Sequence, residues 1–199
     1  MNQAHPWHGI SVGDKAPAII NAVVEITKDS KLKFELDKET GMMKLDRFLY
    51  SAVHYPGDYG FIPQTYWEDG DPLDIIILTG RPVYPGMLVE ARVVGVIHML
   101  DDNESDDKII AVYDCDPRFK EFDDLEKIPK HMIDELTHFF ETYKLLQKKE
   151  VKILEVHNKK MAHFVIKEAQ RNYEQKFGAP STQKEASAHK KTTTSSQKK

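Results

Sequence analysis

Residues 69–78 read Asp-Gly-Asp-Pro-Leu-Asp-Ile-Ile-Ile-Leu, an acidic turn that runs directly into an apolar segment. Gly70 and Pro72 are typical of a tight turn, and the apolar residues after Asp74 predict a buried strand. A tight turn would make the three aspartates converge instead of spreading into solvent. Because hard divalent cations prefer carboxylate oxygens, this stretch predicts a magnesium-type site at the start of a strand.

Strand patterns occupy most of the chain around this turn. Residues 32–36 alternate apolar and charged side chains, which predicts a strand with one apolar and one charged face. Residues 24–26 show the same alternation around Glu25. Further strands are predicted at 43–49, 74–78, 88–100, 109–113 and 151–156.

Two helices are predicted towards the end of the chain. The first follows Pro129, and the second spans residues 158–177, where Gly178 and Pro180 end it. Their apolar stripes are Ile133, Leu136, Phe140 and Tyr143 in the first and Met161, Phe164, Val165 and Ala169 in the second. Several strands followed by two helices predict an α+β, mainly β fold: a small closed or half-closed barrel with C-terminal helices outside.

The composition is typical of one globular domain. The 199 residues are 40% hydrophobic and 30% charged, and no apolar run approaches the ~20 residues that cross a bilayer. We expect an N-terminal extension at 1–20, a domain at 21–178 and a disordered Lys/Ser/Thr-rich tail at 179–199. The single cysteine, Cys115, and the lack of a secretory signal pattern favour a reducing, cytoplasmic location without membrane partners.

The charge distribution bears on possible partners. The net charge is −4, and the last twenty residues carry five lysines against one glutamate, so the preceding part is more acidic than the total. A net-acidic body argues against nucleic-acid binding, which needs clustered lysine and arginine to neutralise phosphates.

A second acidic cluster follows the long strand predicted at 88–100. It contains Asp101, Asp102, Asp106 and Asp107, and the two acidic loops could face each other across one site. Each cluster alone is equally consistent with a solvated turn. Neither fits an EF-hand calcium loop, because required ligand positions would hold apolar residues or glycine.

Basic and phenolic side chains could supply the other half of a phosphate site. The candidates outside the acidic clusters are Lys33, Arg47, Tyr55, Tyr59, Tyr143 and Lys144. Each alone is better explained as a core or surface residue. Together with two carboxylate clusters they favour metal ions bridging an anionic, phosphate-bearing substrate. The sequence has no Gly-rich phosphate loop and no His-Glu-x-x-His motif.

Residues 69–75 resemble the signature of the family I soluble inorganic pyrophosphatases, D-[SGDN]-D-[PE]-[LIVMF]-D followed by a small or apolar residue. The resemblance continues in order from about residue 23 to residue 156. It implies hydrolysis of pyrophosphate to two orthophosphates by a metal-activated water, without a covalent intermediate. The shorter, bacterial-type members that the chain resembles imply a five-stranded OB-type barrel with flanking helices, several Mg²⁺ ions per site (with Mn²⁺ or another divalent ion possible), and a homohexamer.

The resemblance also implies roles for individual residues. Asp71 is the general base. The metal ligands are Asp69, Asp74, Asp101, Asp106 and Glu35, and the substrate-binding residues are Lys33, Arg47, Tyr59, Lys108, Tyr143 and Lys144. Glu25, Tyr55 and Asp102 support the site, and Asp102 departs from the family pattern, which usually has glutamate there.

Three alternatives remain open at this point. An OB-type nucleic-acid module would need exposed aromatic residues on a basic groove, whereas the strand faces here carry interleaved acids. A metal-dependent phosphohydrolase acting on nucleotides would be distinguished by a substrate panel. An inactive family member is disfavoured because only the residue at position 102 departs from the expected site set.

Overall fold

The computed structural model describes residues 5–178, so the tail predicted at 179–199 lies outside the described residues. The strands are β1 (Ile19–Ile26), β2 (Leu32–Leu36), β3 (Met43–Phe48), β4 (Asp58–Phe61), β5 (Asp74–Leu78), β6 (Leu88–Asp101), β7 (Glu104–Ser105), β8 (Lys108–Tyr113) and β9 (Val151–Asn158). Helix α1 spans Lys130–Thr142 and helix α2 spans Lys159–Phe177. Short 3₁₀ helices lie at Pro117–Phe119, Leu125–Lys127 and Leu145–Gln147. In the described part of the chain, no helix is long and apolar enough to span a membrane.

Strand pairing organises the fold around β6 and β1. Strand β1 pairs antiparallel with β4 and β6, and β4 pairs antiparallel with β5. Strand β5 pairs parallel with β8, which pairs antiparallel with β6. Strands β7 and β9 also pair with β6, while β2 and β3 form a separate two-stranded sheet. The mainly β fold with C-terminal helices is therefore confirmed.

The strands β5 and β8 are buried on both faces, which explains their continuous apolar sequences. Ile75 and Ile77 pack into the core on the side of α2, and Ile76 packs into the core on the side of α1. Helix α2 contributes Val165 and Ile166 to the first of these cores. The two helices thus cover opposite faces of the same strands.

The short strand β4 was not among the predicted strands, because Gly57 and Gly60 suggested a loop. Its glycine is instead what permits pairing: a Cβ on Gly60 would lie 1.9 Å from the carbonyl oxygen of Val23 in β1. Glycine in a strand often marks such a close approach of two backbones.

Two predictions of which side chains are buried, one in β1 and one in α2, differ from the structure. Glu25 was expected on a charged outer face of β1, but it is only 7% exposed because both faces of this strand are covered. In α2, Val165 and Ala169 of the predicted stripe are buried, but Phe164 is 58% and Met161 37% exposed, and Ala162, Ile166 and Tyr173 are buried in their place. The buried stripe is therefore rotated away from Met161 and Phe164.

Candidate active site

A pocket of about 290 Å³ lies where the two acidic loops meet the β2–β3 sheet and the end of α1. Its lining brings together most of the residues proposed from the sequence. These are Glu25, Lys33, Glu35, Tyr59, Asp69, Asp71, Asp74, Asp101, Asp106, Tyr143 and Lys144. Carboxylates separated by more than 30 residues along the chain therefore face one cavity.

The parallel pairing of β5 with β8 builds the centre of the site. It sets Asp74 opposite Lys108 in register, so the loops that precede the two strands end side by side. The Lys108 ammonium lies 2.6 Å from Oδ2 of Asp74 and also pairs with Asp106. Although burial opposes the charge of Lys108, these two carboxylates raise its pKa above the usual value.

The second acidic loop is a tight turn between β6 and β7. Asp102 and Asn103 both have positive φ values, 50° and 69°, a pattern that aspartate and asparagine tolerate well. This turn leaves Asp101 and Asp106 on the pocket side. Lys144, which follows the C-cap residue Tyr143 of α1, forms an ion pair with Asp101 there.

Tyr59 and Glu25 close the buried side of the pocket. The Tyr59 hydroxyl donates a hydrogen bond to Oδ2 of Asp74 at 2.5 Å. Burial and the nearby Asp74 and Asp106 carboxylates raise the pKa of Tyr59 well above its usual value. Burial, followed by the charge of Asp74, raises the pKa of Glu25 to about 8, and its carboxyl accepts a hydrogen bond from the Leu36 amide at 2.7 Å. This bond fixes the end of β2 against β1.

Crowded negative charge is the main electrostatic property of the site. Desolvation in the pocket and the carboxylates of Asp74 and Asp106 raise the pKa of Asp69 to about 7. Burial also raises the pKa of Asp74. The pocket therefore favours cations that can be shared among several carboxylates.

Four residues proposed from the sequence do not line the pocket. Lys108 lies behind it, between two lining carboxylates, and Tyr55 is 1% exposed and packs on Tyr59 with ring centroids 5.5 Å apart. Arg47 lies opposite Lys33 in the β2–β3 pairing. Asp102 points away, to an ion pair with Lys149 at 2.8 Å between their charged atoms.

Lys38 lines the pocket and forms an ion pair with Asp71, although sequence reasoning did not select it. It lies in the turn after β2, and a hydrogen bond from the Thr40 amide to Oδ1 of Asp37 stabilises this turn. The available signal was its position, because a turn that follows a strand carrying Lys33 and Glu35 ends near the same site.

Across residues 5–178, no three histidine, cysteine, aspartate or glutamate side chains group as closely as a ready-made metal cage requires. Lysine ammonium groups pair with the pocket carboxylates instead: Lys108 with Asp74 and Asp106, Lys144 with Asp101, and Lys38 with Asp71. The donor set nevertheless suits a hard divalent cation, because it consists of carboxylate oxygens from two loops. One of them, Oδ1 of Asp101, is buried without a hydrogen-bond partner.

Comparison with known proteins identifies the family of the chain. The sequence model of the family described as inorganic pyrophosphatase matches residues 22–174. The chain is 49% identical over 163 residues to soluble inorganic pyrophosphatase 3 of Arabidopsis thaliana, covering 82% of this chain and 76% of the relative. It is 51% identical over 150 residues to soluble inorganic pyrophosphatase 1 of the same plant, covering 75% and 71%.

Solved structures give the same result. The crystal structure of an inorganic pyrophosphatase from Thermus thermophilus superposes with a TM-score of 0.83 at 41% identity, covering 86% of this chain and 99% of that one. The resemblance to bacterial-type members that the sequence suggested is thus seen in this solved structure, whereas the two curated relatives named above are plant proteins. The chain belongs to the family I inorganic pyrophosphatases.

Proposed function

We propose that this chain hydrolyses inorganic pyrophosphate to two orthophosphates in the described pocket, with Mg²⁺ and an activated water and without a covalent intermediate. The reaction follows from membership of the family. The observation that carries the proposed site is the convergence of two acidic loops with Lys33 and Lys144 in one cavity. This combination suits a highly charged substrate that reaches the protein through shared cations.

We assign metal binding to Asp69, Asp74, Asp101, Asp106 and Glu35. Their fit to the ion is supported by the raised pKa values of Asp69 and Asp74, since a bound cation would stabilise the charged carboxylates against the burial and the neighbouring negative charge that raise these values. When bound, divalent ions would neutralise phosphoryl charge and lower the pKa of a coordinated water. Mg²⁺ is the expected ion, and Mn²⁺ is an alternative with the same ligand preference.

The remaining residues would bind and orient the substrate. Lys33, Arg47, Lys108, Tyr143 and Lys144 would bind the phosphoryl groups, and Tyr59 would lie near the bridging region. Tyr143 fits such a role as a neutral donor, because burial and the charge of Asp101 raise its pKa well above the usual value. We propose that Asp71 accepts the proton of the attacking water. Glu25, Tyr55 and Asp102 would support these residues.

Phosphate release tests the reaction and its metal dependence together. We expect the purified protein to release orthophosphate from pyrophosphate with Mg²⁺ and to lose this activity in excess EDTA, because the carboxylates alone would repel the substrate. Re-addition of Mg²⁺ should restore the rate, which controls for irreversible damage. Absence of release with Mg²⁺ and with Mn²⁺ would contradict the proposal.

Broader features of the molecule are also part of the proposal. We infer a catalytic domain at 21–178 and an OB-type barrel formed by β1, β4, β5, β8 and β6, supported by the pairing of β6 back to β1.

We further propose a cytoplasmic location and a homo-oligomer, with a hexamer as the expected form. Exposed apolar side chains such as Phe48, Tyr84 and Phe164 support the oligomer, and sedimentation velocity would measure its size.

A further inference from the structure

The N-terminal residues 5–7 lie outside the matched family region, yet they contact one wall of the pocket. The Trp7 side chain is buried, and its indole Nε1 donates to the carbonyl oxygen of Thr65 at 2.8 Å. The Gln64 amide donates to the Trp7 carbonyl at 2.9 Å. Thr65 in turn accepts a hydrogen bond from the Leu73 amide at 2.9 Å, inside the turn that carries Asp71. Trp7 is therefore bonded to the base of the acidic turn.

The same residues also contact a second part of the pocket wall, the turn between β2 and β3. Nδ1 of His5 accepts from the Trp7 amide at 3.2 Å, so Nε2 carries the ring proton and donates to the Lys38 carbonyl at 3.1 Å. The packing is tight, because a Cβ on Gly41 would lie 3.1 Å from Pro6 and 3.2 Å from His5. The Lys38 ammonium lies 5.9 Å from the centre of the Trp7 ring, within cation–π range.

We propose that residues 5–7 are a positioning element of the active site: His5 and Trp7 hold Lys38 so that its ammonium orients the Asp71 carboxylate. The inference rests on the proposed role of Asp71. Lys38 and Asp71 are each about half exposed, at 52% and 45% of their side-chain surface. An ion pair between two exposed side chains contributes little free energy, because a mobile lysine loses rotamer entropy when it pairs. The hydrogen bond from His5 fixes the Lys38 backbone, and the Trp7 ring restricts the Lys38 side chain. Less rotamer entropy is therefore lost when the ion pair forms.

Kinetics of pyrophosphate hydrolysis by full-length variants test the inference. We expect Lys38→Met to lower kcat about tenfold, equivalent to ~1.4 kcal/mol, with little change in KM, because the group that it orients acts in the chemical step. Lys38→Arg should recover most of the rate, since it keeps the cation. His5→Ala should lower kcat about threefold, and adding it to Lys38→Met should cost nothing more, because both changes remove the same interaction.

Two matched variants separate positioning from general packing. Tyr173 of α2 packs against Trp7 with ring centroids 6.4 Å apart and its hydroxyl bonds to Nδ1 of His8 at 2.8 Å, so Tyr173→Phe should lower the melting temperature without lowering kcat. Lys15→Met removes an exposed lysine outside the pocket lining and should leave kcat unchanged. Equal kcat losses in His5→Ala and Tyr173→Phe, or additive losses in the double variant of His5 and Lys38, would overturn the inference.

Hydrogen exchange gives a readout that does not depend on activity. The amides of Thr40 and Gly41 are bonded within the turn that His5 covers, and His5→Ala should accelerate their exchange whereas Tyr173→Phe should not. Unchanged exchange in His5→Ala would overturn the proposed contact. An inactive wild-type protein would instead contradict the proposed function, so the two failures are distinguishable.

Discussion

Asp71 differs from Asp74 in how its carboxylate is used. Oδ2 of Asp74 accepts hydrogen bonds from two buried donors, Tyr59 and Lys108, which hold it in place. The Asp71 side chain is 45% exposed and pairs with Lys38 at the rim of the cavity. A carboxylate that remains accessible to water fits a general base better than one enclosed by donors. The two residues of one turn therefore have different environments and different proposed tasks.

We expect Asp71→Asn to lower kcat by about 100-fold or more, because general-base catalysis typically contributes 10²–10⁴-fold. Mg²⁺ binding, measured by calorimetry, should persist, since Asp71 is not one of the proposed ligands. Glu68→Gln is the matched control: it makes the same acid-to-amide change in the same loop, at an exposed side chain outside the pocket lining. Near-wild-type turnover of Asp71→Asn would show that the base is another group.

The short strand β4 shows how an element depends on one missing side chain. Gly60 lies between Tyr59 and Phe61, and the backbone of β1 occupies the space that a Cβ would need. Because β4 lies this close to β1, the Tyr59 side chain can reach Asp74 across the β4–β5 pair. A larger residue at position 60 would displace both the strand pairing and a wall of the pocket.

We therefore expect Gly60→Ala to destabilise the protein by about 3 kcal/mol or more, because its Cβ meets backbone atoms that cannot rotate away. Gly86→Ala is the comparison. Gly86 has a φ of +82° with open space around it, so this change adds only backbone strain, about 1–2 kcal/mol. Urea unfolding measures both, and a Gly60→Ala cost no larger than that of Gly86→Ala would contradict the steric explanation.

The sequence predicted elements and motifs whose signals are local. Residues 74–78 have the bounds that the structure shows, because an apolar run bounded by turn residues is a strong strand signal. The position of Lys108 beside Asp74 could not be read in this way, since it depends on the register of two strands 34 residues apart. Lys38 and Trp7 were missed for the same reason: their contacts exist only after the chain has folded.

At the scale of the whole molecule, Asp58 joins three distant parts of the chain. Its buried carboxylate accepts hydrogen bonds from the Lys28 amide at 2.7 Å, the Val83 amide at 3.2 Å and the Tyr113 hydroxyl at 2.5 Å. These partners lie after β1, between β5 and β6, and at the end of β8. Burial raises the pKa of Asp58 even though all three hydrogen bonds act to lower it.

This raised pKa predicts how stability depends on pH. The folded protein keeps the Asp58 proton at a pH where the unfolded chain has lost it, so the contribution is fully present below the unfolded pKa of about 4 and declines as pH rises through the folded pKa. We expect Asp58→Asn to remove this decline, whatever its constant cost in hydrogen bonding. We would measure the free energy of unfolding of the wild type and of Asp58→Asn with urea at several pH values from about 4 upwards, and compare the slopes of the two plots against pH. The wild-type slope should be more negative than that of Asp58→Asn. Identical slopes would show that the buried carboxyl titrates at its ordinary value, and a steeper decline in the variant would show that its pKa is lowered instead; either result contradicts the prediction.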